Sequence, residues 1–319
     1  MFSEFISRIL SLIAYYFRPL LKAFLRKTTG LCELQRVCYR NEKGAKRTTG
    51  VEHSITASRS KVITRIRQKF TDLSEHSGKF SVNNQQEVVK LIEFALEGIC
   101  IDKKIKANIH REFLDALRIC FLQIYGYKQL IYEVDSLKNT SYDANDANHE
   151  QKLLQLWHLL MPGIALQSRV SKQWTEIGFQ GEDPKTDFRG MGLLGLENLL
   201  YFAKTYPSSA RQILLHSNHP SHGYPFAITG INITFIAYIL LKRGNLKTHF
   251  YNTYFSTVCL EDFHKVYCYL FLHFDRFWLK EKPKDVMEFR YIKEKFVNEI
   301  SARLTDLSTV LKIDAVETI

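Results

Sequence analysis

From about residue 85 to residue 311 of this 319-residue chain, apolar side chains recur at intervals of three and four, the period of one helix face. Val88, Val89, Ile92, Ala95, Leu96 and Ile99 mark one such face. Phe113, Leu114, Leu117, Phe121, Leu122 and Tyr125 mark a second, which continues past Gly126 through Leu130 and Val134. Leu153, Leu156, Trp157 and Leu160 form a third, stopped by Pro162. Further helices are expected around Leu193–Phe202, Ala227–Leu241, Glu261–Leu279 and Lys284 to about Leu311. Long alternating runs of β-branched residues are absent. The pattern predicts an all-α chain, a multi-helix orthogonal assembly of about nine to twelve helices at ordinary lengths. Residues 223–241 carry no formal charge, but Gly230, Asn232 and Thr234 interrupt them and Pro225 stands near their start. They are expected to form a core helix rather than a membrane span. The polar run Asn139–Asn148 is a connector and a candidate seam. The expected organisation is a basic amphipathic segment over 1–45, a helical region over 46–145 and a helical core domain over 146–311.

The net charge of +11 is uneven. Residues 1–70 hold 15 Lys and Arg against 4 Asp and Glu, so the remainder of the chain is neutral. A basic terminal segment on a neutral body points to an anionic surface, most often a membrane, and not to nucleic acid. Within it, Phe2, Phe5, Ile6, Ile9, Ile13, Tyr16, Phe17, Leu20, Leu21 and Phe24 follow a helical spacing, with Glu4, Arg8, Ser11, Arg18, Lys22 and Arg26 on the other side and Pro19 as a kink or restart. The interleaved charges and the lack of a small-residue cleavage site argue against a signal peptide. Ile9–Phe17, the longest uncharged run, is too short to span a bilayer. Two readings stay open for residues 1–26: an interfacial membrane helix, or a helix docked on its own domain.

Several chemistries are missing. No GxxxxGK[ST] loop, GxSxG elbow or HExxH helix is present. His216, His219 and His222 are spaced by three in a loop, and solvated surface is the ordinary reading for such a set rather than a metal site. The six cysteines contain no CxxC pair, and Cys100, Cys120 and Cys268 fall within apolar helical patterns, so a reducing compartment is expected.

Residues 174–194 read as a structured loop feeding a helix whose apolar face begins at Leu193. Gly178 and Gly181 permit unusual backbone angles. Asp183-Pro184 starts a turn, and Thr186 or Asp187 is placed to cap the helix. Arg189 then lies at a helix amino end, the wrong place for a cation by dipole logic. With free backbone N–H groups, it would form an anion-seeking site suited to phosphate. The competing reading is a structural ion pair between Arg189 and Asp183 or Asp187.

This segment resembles the signature of the ELMO domain-containing family, W-x3-G-F-Q-G-x-D-P-x-T-D-x-R-G-x3-L. Trp174, Gly178, Phe179, Gln180, Gly181, Asp183, Pro184, Thr186, Asp187, Arg189, Gly190 and Leu194 occupy all twelve fixed positions. The likeness extends to Gly30–Arg36, Gly126–Leu130, Ser171–Trp174, Gly230–Thr234 and Phe274–Trp278. It implies one ELMO domain with an N-terminal helical extension, in a short, single-module member of the family. It further implies GTPase-activating activity toward Arf or Arf-like small GTPases, with Arg189 supplied in trans as an arginine finger. Asp183, Thr186, Asp187 and Gly190 would hold the loop, and Gln180 would touch the loop or the partner. Trp174, Phe179 and Leu194 would be core, with Gly178, Gly181 and Pro184 shaping the motif. No cofactor of its own is expected, since the partner carries GTP and Mg2+. The expected location is cytoplasmic, peripheral on an internal membrane. The alternative is a non-catalytic helical adaptor that binds a small GTPase or its regulators, since longer ELMO-containing proteins are thought of as scaffolds.

Overall fold

The computed structural model describes residues 17–76 and 82–313. Among the described residues there is no strand. The chain divides into two compact units, one up to Tyr125 and one from Gly126.

In the first unit, helix α1 (residues 17–29) precedes α2 (Glu33–Arg40), α3 (Ala45–Thr56), α4 (Lys61–His76) and α5 (Val82–Lys103). Helix α6 (Arg111–Asn139) carries the boundary in its interior. The three-four spacing does what it should. Ile63, Ile66 and Phe70 of α4, Val88, Ile92, Leu96 and Ile99 of α5, and Phe113, Leu117 and Phe121 of α6 are all buried. Val89, expected on the same face of α5, is turned to solvent.

Helix α1 is attached by its polar side. Arg18 Nη2 lies 3.0 Å from Glu33 Oε1, Lys22 pairs with the same carboxylate, and Arg26 Nη2 donates to the Lys103 carbonyl at 2.6 Å. Burial raises the Glu33 carboxyl, but Lys22, Ser54 and Arg18 outweigh it and hold it below its ordinary value. Phe17, Leu20, Leu21 and Phe24 are left exposed. Over these residues the apolar face is not docked on the domain. The apolar positions expected at Phe2–Tyr16 lie outside the described residues.

The second unit is built around α8 (Gly192–Thr205). It packs against α7 (Ala147–Leu160), α9 (Pro207–Ser217), α10 (Phe226–Lys242) and α12 (Leu260–Glu281). A helix touched on all sides must be apolar all round, and Leu193, Leu194, Leu196, Leu199, Leu200 and Phe202 are buried. Its one buried amide, Asn198, ties three helices together. Asn198 Nδ2 donates to Thr234 Oγ1 on α10 at 3.1 Å, and His264 Nδ1 on α12 donates to Asn198 Oδ1 at 2.6 Å. The expected core helix over 227–241 is α10, buried between α8 and α12. No single helix among the described residues is long and apolar enough to cross a membrane. Only α10 together with α11 (Lys247–Thr253), bent by 79°, reaches the length.

The helix expected over Lys284–Leu311 is shorter. A 3-10 turn at Val286–Glu288 precedes α13 (Phe289–Arg303), and turns follow. Asp285 caps the turn through Met287 N–H, and Asp306 accepts from Ser308 N–H at 3.0 Å. Each carboxylate competes with helical continuation at its end. All six cysteines are free. Cys120 and Cys268 are core residues, while Cys100 is half-buried.

His264 and His249 are two acid-sensitive points of the fold. Burial drives both imidazoles down to about 4, and His249 must be neutral for its Nδ1 to accept Leu311 N–H at 3.1 Å. A folded pKa below the unfolded value of about 6.5 gives stability that is full above that value and is lost as pH falls toward 4. Each ring contributes on the order of 3 kcal/mol to this loss. Melting temperature is expected to drop steeply between pH 6.5 and 4, and His264→Gln is expected to flatten that slope.

Candidate functional site

The signature residues form two short 3-10 helices, Lys172–Ile177 and Pro184–Gly190, that lead directly into α8. They are held from beneath by a continuous run of aromatic rings. Trp157 of α7 meets Trp174 edge-on at 5.4 Å, Trp174 meets Phe179 at 5.8 Å, Phe179 meets Phe188 at 5.6 Å, and Phe188 meets Tyr142 at 5.4 Å. All five are buried. Trp174, Phe179 and Leu194 are therefore core residues, as expected.

Two glycines make close approaches. Gly178 has φ +82°, and a Cβ there would stand 2.2 Å from the Phe226 nitrogen at the start of α10. Its carbonyl accepts Ile228 N–H at 3.2 Å. Gly192, with φ +53°, sits against the carbonyls of Lys138 and Thr140 at the carboxyl end of α6. Gly181 does not adopt a left-handed angle, contrary to the expectation for it.

The acidic residues take different tasks from those expected. Neither Thr186 nor Asp187 caps α8, whose N-cap is Met191. Asp183 caps the preceding 3-10 helix by accepting Lys185 N–H at 3.0 Å. Asp187 Oδ2 accepts Gln180 N–H at 3.0 Å and cross-links the loop. Its carboxyl lies above its ordinary value, because burial outweighs that N–H and the Arg189 charge. At the amino end of α8, one of the donors that the sequence suggested would be free is taken. Leu193 N–H is spent on the Thr140 carbonyl at 2.9 Å.

The structural arginine of this loop is Arg169, a residue the sequence reading passed over. It pairs with Glu150 of α7, and its Nη1 lies 2.9 Å from Asp183 Oδ1. Burial works against its charge, and the two carboxylates more than restore it. Its carbonyl accepts Trp174 Nε1–H at 2.9 Å. Tyr142, whose hydroxyl donates to Glu150, completes the set. The two carboxylates lie 14 and 19 residues from Arg169 in sequence, so no local pattern announces the pairing.

Arg189 is thereby released from the structural task. It occupies the last turn of the 3-10 helix, exposed, and its Nε donates to the Thr186 carbonyl at 2.9 Å. It forms no ion pair with Asp183 or Asp187, and its terminal nitrogens have no partner among the described residues. It borders a 430 Å³ depression lined also by Lys138, Ser141, Tyr142, Lys185 and Gly190. Gln180 is exposed on the same loop.

The three histidines do not converge. His216 Nδ1 is bound to buried Asp275 Oδ2 at 2.8 Å, while His219 and His222 stack on one another at 3.6 Å. Among the described residues no cluster of His, Cys, Asp and Glu has the arrangement of a metal site.

A helical domain that anchors one loop on aromatics and leaves a single arginine free on it defines an arginine-presenting helical module. The chain belongs to the ELMO/CED-12 family, whose model matches residues 132–293. It is 44% identical over 299 residues to human ELMO domain-containing protein 2, covering 94% of this chain and 96% of the relative. It is 44% identical over 301 residues to bovine ELMO domain-containing protein 1, with 89% and 87% coverage. Dictyostelium discoideum ELMO domain-containing protein B is 36% identical over 286 residues, with 89% and 93% coverage. No solved structure gives a significant match.

Gly178→Ala should be severely destabilising. The left-handed angle costs about 1–2 kcal/mol and the overlap with α10 about 1–3 kcal/mol more. Urea unfolding should show a loss of about 2–5 kcal/mol, whereas Gly181→Ala, with nothing within 4 Å of its Cβ, should fall within about 0.5 kcal/mol of the parent.

Proposed function

We propose that this protein accelerates GTP hydrolysis on a GTP-loaded small GTPase of the Arf or Arf-like class, with Arg189 as the residue supplied in trans. The observation that supports this most is the state of that side chain: anchored at Nε, exposed, and free at both terminal nitrogens on a loop braced by other residues.

In the GTPase, negative charge gathers on the γ-phosphoryl oxygens and the β–γ bridge as the bond to the leaving group lengthens. The free Nη1 and Nη2 groups of Arg189 can donate to those oxygens together, in one plane. The Nε anchor removes one freedom of the side chain before the partner arrives, so less ordering cost remains to be met at the transition state. Asp183, Asp187 and Arg169 act as positioning residues. They fix the 3-10 helix that carries Arg189 and do not face the nucleotide. This protein contributes no nucleotide or metal, since GTP and Mg2+ come with the partner. The exposed Phe17, Leu20, Leu21 and Phe24 of α1, in a segment rich in Lys and Arg, support a cytoplasmic protein held peripherally on an internal membrane.

Single-turnover hydrolysis on a panel of purified Arf and Arf-like proteins is the direct test. The parent should accelerate at least one of them. Arg189→Ala and Arg189→Lys should lose about 10³-fold or more of the acceleration while melting like the parent. Acceleration that survives in both variants removes Arg189 from catalysis. Binding of the GTP form with no acceleration by the parent identifies an adaptor.

A further inference from the structure

Three cations, Lys138, Lys185 and Arg189, line the depression beside the signature loop, and no carboxylate lines it. Lys138 Nζ lies 3.4 Å from Asn139 Oδ1 and 5.5 Å above the Tyr238 ring, both uncharged partners. Lys185 is exposed, and its one local bond is made by its backbone N–H. Asp187, the carboxylate that feels the Arg189 charge, is occupied by Gln180 N–H. Two other cations of this unit, Lys152 and Lys242, are each neutralised by a carboxylate, Glu197 and Asp135. Like charges gathered around one hollow attract an anionic partner.

A second observation bears on what that partner is. Gly190 adjoins Arg189, lies outside the left-handed region, and has nothing within 4 Å of where a Cβ would be. Unlike Gly178 and Gly192, it is not required by anything inside the chain, and glycine without need weakens a helical turn. A bare Cα on an open rim leaves room for another main chain. A free anion such as phosphate would use the cations but would gain nothing from that bare position.

We infer that this depression is the docking site for an acidic loop of the GTPase, the segment that borders its nucleotide. The loop's carboxylates meet Lys138 and Lys185 while its backbone crosses Gly190. The inference rests on the proposed function for the identity of the partner. It adds residues that govern encounter and docking, separate from the one that governs turnover. Charge complementarity of this kind acts mainly on association and on its salt dependence.

The test uses the full-length chain carrying Lys138→Glu with Lys185→Glu, and separately Gly190→Val. Three properties are read: melting temperature, affinity for the panel GTPases loaded with a non-hydrolysable GTP analogue, and single-turnover rate against GTPase concentration. The double variant is expected to raise the half-saturating concentration about tenfold or more. Its maximal rate should fall less than about threefold, its salt dependence should flatten, and its melting temperature should stay that of the parent. Gly190→Val should weaken binding in the same direction without loss of stability. If the parent binds but does not accelerate, weakened affinity in these variants still upholds the docking site while the catalytic reading fails. Parent-like affinity in both variants overturns the inference, as does a parent that binds none of the panel. Inorganic phosphate that raises the parent's melting temperature but not the double variant's, with GTPase affinity unchanged between them, reassigns the hollow to a free anion.

Discussion

Five buried rings in unbroken contact, from Trp157 through Trp174, Phe179 and Phe188 to Tyr142, carry the signature loop on their upper edge. Three of the four contacts are edge-to-face, and such pairs add about 0.5–1.5 kcal/mol each beyond the area they bury and fix orientation as well as distance. The two indole N–H groups extend the hold outward. Trp157 Nε1 donates to the Ile164 carbonyl at 2.8 Å, and Trp174 Nε1 to the Arg169 carbonyl at 2.9 Å. The connecting strip between α7 and the first 3-10 helix is thereby tied to the same rings that seat the second. Phe188 is held on both sides within this run, by Phe179 and Tyr142, and Arg189 is the next residue. The position of the exposed guanidinium follows from packing one residue away.

Electrostatics divide between two arginines. Arg169 is half-buried between Glu150 and Asp183, where removing it would strand two carboxylates. Arg189 is exposed and meets only a carbonyl of its own turn. A loop with one arginine would have to choose between bracing itself and reaching a partner. With two, the buried pairings make the loop rigid, and the outer side chain keeps its terminal donors. The acidic residues of the signature serve that bracing. Asp183 accepts from Lys185 N–H and pairs with Arg169, while Asp187 closes the loop onto Gln180 N–H.

Much of the fold is legible in the spacing of apolar residues, because burial on one helix face leaves a direct trace at three and four. The stripes at Leu153–Leu160 and Phe113–Val134, and the uncharged stretch at 227–241, are the faces that the structure buries. The end of the chain was less legible. Past Arg303 the competition between helix and Asx turns is decided by Asp306, which apolar spacing does not register. At the site, Trp174, Phe179 and Leu194 were readable as core because they are large and apolar. Arg169 was not, since its partners come from α7 and from the signature itself. The cap went to Asp183 and not to Thr186 or Asp187, because the loop is itself a 3-10 helix with its own amino end. Sequence spacing measured from Leu193 counted back to the wrong helix.

That 3-10 helix also resolves why cations gather where the sequence seemed to forbid them. Measured from α8, Arg189 stands at an amino end, but it belongs to the last turn of Pro184–Gly190, where helix carbonyls point outward. Lys138 likewise lies in the last turn of α6. Carboxyl ends favour positive charge by about 0.3–1 kcal/mol at exposed positions. The fold thus steadies its cations with backbone dipoles rather than with carboxylates. A carboxylate would neutralise them and would have to be displaced by an incoming anion. A carbonyl dipole leaves the full charge and the outward donors in place. The junction that makes this geometry is the close approach of Gly192 to the carboxyl end of α6, with Leu193 N–H bonded to the Thr140 carbonyl just beyond it. It brings two carboxyl ends to one hollow, and it takes up one amino-end donor of α8, Leu193 N–H.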